Sequence, residues 1–176
     1  MKDGMPDLEG ARHLCREEGT AIAPWRVKAC GDDTGGRFDF LVGEVAYRSG
    51  PPLHRHRVEE DSFYVLEGIL TVQSGERVFE VGPGEFVTFL PGTAHTFDNL
   101  RPDQPPVRVI NLMTPGGYDR VLVVFSEAGT QALDEATARS LEERFGVEIV
   151  GPPLRDSLER AGTASWRSAD ERAPPG

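Results

Sequence analysis

The sequence predicts an all-β domain, a jelly-roll β-barrel with a short N-terminal extension and a small C-terminal helical appendage. Three observations predict it. From His54 to Met113 the chain reads as short strands of alternating character. Turn signals such as Ser74-Gly75 and Gly82-Pro83-Gly84 separate them, which is the pattern of a sandwich or barrel. Helical spacing begins only after Pro115-Gly116-Gly117. About eight strands without intervening helices suit two facing sheets that enclose a pocket.

In order, residues 1–24 are a polar extension with a short helix expected near Leu8 to Glu18. Trp25 to Cys30 alternates and predicts a first strand. Gly31-Asp32-Asp33-Thr34-Gly35-Gly36 reads as a loop, and Phe38 to Tyr47 as a long strand rich in aromatic and branched residues. Ser62–Leu66, Ile69–Gln73, Arg77–Val81, Phe86–Leu90, His95–Asn99 and Val107–Met113 complete the barrel, residues 25–113. In the appendage, residues 114–154, Tyr118, Val121, Leu122 and Phe125 fall on one helical face. A second helix is expected over Asp134–Phe145, with Asp134 as N-cap and Gly146 as stop. Val147–Val150 is expected to add a strand. Residues 155–176 are polar apart from Trp166 and predict a mobile tail.

The chain of 176 residues is long enough for one domain with a real core. A net charge of −10 opposes nucleic-acid binding, which needs cationic surface against phosphates. No apolar run approaches the length of a membrane span, so no membrane partner is expected. The first residues lack the basic and apolar regions of a signal peptide, and a cytoplasmic location is expected. Cys15 and Cys30 have neither CxxC nor zinc-finger spacing and are read as free thiols.

Chemistry concentrates in two stretches. His54 and His56 are two residues apart, so on a strand both point to one face. Asp61 follows at the start of the next apolar strand, and a third histidine, His95, lies in the second stretch. Three imidazoles and a carboxylate are a ligand set for one divalent transition metal: Fe, Mn, Ni, Co, Cu or Zn. Asp61 is about 1.5 Å shorter in reach than glutamate, so it is read either as fourth ligand or as a base beside a three-histidine centre. Glu59 shares its strand parity, unlike Glu60, and is the substitute ligand or base. Phe63 shares the face of Asp61, and Phe97 that of His95, so both are expected to line the pocket. Tyr64 and Leu66 would face outward, where a second copy in a homodimer is the expected cover.

These stretches resemble the two motifs of the cupin superfamily. His54, His56, Asp61 and Gly68 match the first; Gly84, Gly92, His95 and Asn99 match the second. The sequence departs from the pattern with Asp61 in the glutamate position, Leu90 in a proline position, and Gly50 three rather than five residues before His54. Residues 25–154 are further similar to small quercetin-dioxygenase-like cupins, in Thr34-Gly35-Gly36-Arg37-Phe38 and in the stretch from Gly117-Tyr118 to Gly151-Pro152-Pro153. The resemblance implies a metal-dependent oxygenase acting on an oxygen-rich aromatic or polyketide-like small molecule of secondary metabolism. A non-redox cyclase, isomerase or hydratase on the same centre, or a ligand-binding cupin without catalysis, stays open beside it, because one fold hosts many chemistries.

Overall fold

A computed structural model describes residues 10–128 and 133–162. Two antiparallel sheets face each other. The first has six strands in the order β1 (Thr20–Ile22), β2 (Trp25–Ala29), β3 (Asp39–Val45), β10 (Val107–Thr114), β5 (Glu60–Glu67) and β8 (Phe86–Phe89). The second has five, in the order β11 (Val147–Pro153), β4 (Pro52–His56), β9 (His95–Asp98), β6 (Leu70–Ser74) and β7 (Arg77–Val81). This arrangement is that of a jelly roll, with one correction: the sheets do not close into a barrel. They remain two layers, with β1, β8, β7 and β11 as edges.

Alternation explains the layers. On β10, Val107, Val109, Asn111 and Met113 are buried and their neighbours half-buried. Strand β3 repeats this with Leu41, Gly43 and Val45 inward. Phe63 and Val65 of β5 meet Leu70 and Val72 of β6 and Phe97 of β9 in the common core. A row of Val42, Ile110, Tyr64 and Phe86 runs across the outer face of the six-stranded sheet in direct register. Tyr64 and Phe86 are exposed there.

Four sequence expectations change. Residues 31–34 form a short helix, α1 (Gly31–Thr34), rather than a loop. Asp33 accepts the Cys30 amide hydrogen at 3.1 Å, and Gly35 ends the turn at φ 63°, so the acidic pair acts at a helix start. No helix forms between residues 10 and 18. Strand β1 was not foreseen. The tail expected from residue 155 begins instead as helix α4 (Leu154–Arg160), which buries Leu154. Arg155 of α4 donates to Gly50 O at 2.8 Å and to buried Asp98 at 3.2 Å. Trp166 and the rest of that expected tail lie outside the described residues.

Helix α2 (Asp119–Ala128) turns the predicted face of Val121 and Leu122 into the core. Its start is held by Asp39, which accepts from the amides of Gly117, Tyr118 and Asp119 at 2.9, 2.6 and 3.2 Å. Helix α3 (Glu135–Phe145) begins at Asp134, whose carboxylate accepts from Thr137 N at 2.7 Å, and stops at Gly146 at φ 71°. Cys15 and Cys30 are free. No helix among the described residues is long and apolar enough to cross a membrane.

Candidate metal centre

The centre lies in the gap between the sheets. Strand β4 supplies His54 and His56 from one face, and β9 places His95 directly opposite His54 in the ladder. Asp61 enters from β5 in the other sheet. All four side chains are buried, and their ligand atoms lie within 4.8 Å of one another. Donors on opposite sides of one ion with bonds near 2.1 Å stand about 4.2 Å apart, so small inward movements close the set. The shorter arm of Asp61 does not keep it out.

Hydrogen bonds set which imidazole nitrogen faces inward. His54 Nδ1 and His95 Nδ1 lie 2.8 Å from the carbonyl oxygens of Pro52 and Thr93. A carbonyl accepts only, so each Nδ1 carries the hydrogen and each Nε2 of the neutral ring presents a lone pair. His95 Nε2 then stands 3.2 Å from Asp61 Oδ2. Two acceptors face each other, a contact that a cation between them stabilises. Both nitrogens of His56 are buried without a partner among the described residues, and buried polar atoms ordinarily have one. The residues fit a divalent ion.

Burial also keeps the His54 and His56 rings neutral, as ligands must be. It drives His54 down to about 3, with the neighbouring His95 adding to the shift. His56 falls to about 2 through burial and then the neighbouring His54 and His95. Phe89 stacks on His95 at 4.3 Å between centroids and 8° between planes, which fixes that ring's attitude.

A pH dependence follows. Between roughly pH 6.5 and 3, unfolded His54 and His56 bind protons that the folded rings refuse. Their contribution is present above 6.5 and is lost as pH falls. For metal-free protein we expect unfolding free energy to drop by about 1.4 kcal/mol per pH unit for each histidine below 6. Urea titrations from pH 7 to 5 check this; a flat profile contradicts it.

A cavity of about 370 Å³ opens onto the centre. His54, Asp61, Asn111 and Tyr118 are among its polar lining, and Phe63 and Phe97 line it too, 4.7 Å apart between ring centroids. Glu59 does not join the ligand cluster. It precedes β5 rather than lying on it, so strand parity does not aim its side chain. Its half-buried carboxyl is pushed up by burial, and its Oε2 has no partner among the described residues.

Two residues at the centre were missed from sequence. Tyr118 stands edge-on to His56, centroids 4.9 Å apart. Burial, then the Asp61 and Glu59 carboxylates, push its hydroxyl well up. Asn111 donates to Asp61 Oδ1 at 2.5 Å. A signal existed for it: a polar residue on the inward face of Val107, Val109 and Met113.

Among solved structures, the chain is similar to KdgF from a Halomonas species: 19% identity, TM-score 0.48, covering 55% of this chain and 81% of that one. It is similar to a predicted oxalate decarboxylase from Thermotoga maritima at 14% identity and TM-score 0.48, covering 52% and 78%. The cupin domain of Cnp3 from Schizosaccharomyces pombe gives 14% and 0.46, covering 55% and 67%. No curated protein sequence matches. Residues 41–113 match the family model described as Cupin domain, a span that contains His54, His56, Asp61 and His95.

Proposed function

We propose that this protein is a metal-dependent oxygenase for an apolar, oxygen-bearing aromatic or polyketide-like small molecule. The observation that carries the reading is the cavity: His54 and Asp61 of the four-residue cluster line it, the walls are largely apolar, and no lysine or arginine is among its described lining residues. Such a pocket rewards burial of a ring system and offers no cation to a substrate bearing several carboxylates or phosphates. A divalent ion held by the four ligands supplies Lewis acidity and, where redox-active, electron transfer.

The chain's own residues do the rest. Trp25, Phe63, Phe97 and Phe125 flank the occupant and keep water from the centre. Tyr118, kept protonated by burial and the two carboxylates, donates a hydrogen bond to an oxygen of the occupant. Glu59, whose carboxyl is pushed up by burial and whose Oε2 has no partner among the described residues, is the candidate proton acceptor.

The test is reconstitution of metal-free protein with Fe, Mn, Ni, Co, Cu and Zn in turn, with oxygen uptake measured on aromatic hydroxy-ketones. Uptake with a redox-active ion and none with Zn is expected. Turnover with Zn alone moves the chain to non-redox chemistry, and turnover with none makes it a binding protein. Asp61→Asn should lower metal affinity at least about 10-fold and take turnover with it. Full metal retention with lost turnover would reassign Asp61 from ligand to base.

A further inference from the structure

We propose that Asn111 is a positioning residue that turns Asp61 into a one-oxygen ligand; the inference rests on the metal reading above. Asn111 sits on β10, two residues along from the ladder partner of Asp61, and is 2% exposed. Its amide nitrogen donates to Asp61 Oδ1 at 2.5 Å and to the Ser62 carbonyl at 3.1 Å. An amide nitrogen has two hydrogens, so both are committed to β5. The two acceptors also settle which end of the amide faces the carboxylate, since an amide oxygen there would meet two oxygens.

The effect on Asp61 is geometric. The χ2 torsion of an aspartate is broad, and an untethered carboxylate turns freely between its two oxygens. With Oδ1 turned to Asn111, Oδ2 is the oxygen that faces the histidines, 3.2 Å from His95 Nε2 and 3.9 Å from His56 Nε2. Asn111 thereby does for a short side chain what reach would do for a longer one. It fixes the donor atom's direction before any ion arrives, which lowers the ordering cost of coordination. Asn111 also faces the cavity, so loss of its amide leaves the carboxylate open to rotate toward that space.

The experiment is a double-mutant cycle read as Kd for Zn²⁺ and for Cu²⁺, the latter chosen because it binds most nitrogen and oxygen sites more tightly. Asn111→Leu, similar in shape and without donors, should weaken both ions about 10- to 100-fold in the parent. In an Asp61→Ala background the same change should cost under about 3-fold, because Asn111 then has no carboxylate to hold. Asn111→Ala gives the same comparisons in a variant that inserts no extra volume. Parent-like Kd values in the single variants, or an equal loss in both backgrounds, overturn the inference and leave the metal reading standing. A parent protein that binds neither ion overturns both.

Discussion

Replacing His95 or His54 with alanine is expected to abolish tight metal binding while the sandwich stays folded. Each ring gives one lone pair fixed by a backbone carbonyl, Thr93 O for His95 and Pro52 O for His54. No other histidine, cysteine, aspartate or glutamate among the described residues belongs to this cluster and can take its place. The loss should exceed the 10- to 100-fold typical of an outer-shell change, so at least about 100-fold. The sheets are held by other groups, among them Phe63, Val65, Leu70, Val72 and Val109, all buried. Elemental analysis after gel filtration, with far-ultraviolet circular dichroism on the same samples, checks both halves. Full occupancy in either variant would remove that histidine from the ligand set.

The largest effect on stability is expected at Gly50→Ala. An added Cβ would stand 1.8 Å from the Phe97 carbonyl oxygen and 2.9 Å from Asp98 Cγ. The first neighbour is backbone of β9, which no rotamer can move. Gly50 is also tied at both ends: its amide donates to Asp98 at 2.9 Å and its carbonyl accepts from Arg155 at 2.8 Å. Overpacking at such a seam costs about 3 kcal/mol, a fall in Tm of roughly 6–12 °C for a chain of this size. Phe97 is two residues from His95 on the same strand, so metal affinity should fall as well. Gly75→Ala is the control; nothing lies within 4 Å of its added Cβ, and only its φ of 57° resists the change. A Gly50→Ala melting temperature equal to the parent's would sink the argument.

Much of this was legible in the chain. A period of two from His54 to Met113 is a local property, and it placed β5 to β10 within a residue or two at each end. His54 and His56 share a face by parity alone, and their meeting with His95 needed only the jelly-roll arrangement. What could not be read depends on which partner a polar side chain meets. Asp33 looks like a loop residue until it accepts the Cys30 amide. Arg155 looks like tail until buried Asp98 receives it. Asn111 shows as a polar residue on an inward face, but its partner Asp61 is known only once β10 lies beside β5. Glu59 lies outside the ligand cluster because parity was extended past the end of a strand, where it no longer governs direction.

The pairing of β4 with β9 is a single register pair, His54 with His95. On its other side β4 carries β11, paired over five positions, and α3 and α4 lie on either side of β11 in the chain. Where most sheets would have a row of amide bonds, this one has a clasp of side chains. An ion held by His54, His56 and His95 would close that clasp from within, and its binding energy would add to the cohesion of the seam. Removal of such an ion would then loosen the hold of β4, and of β11 paired with it, on β9. Amide hydrogen exchange along β4 and β11 becomes a gauge of how full the centre is, readable before any substrate is known.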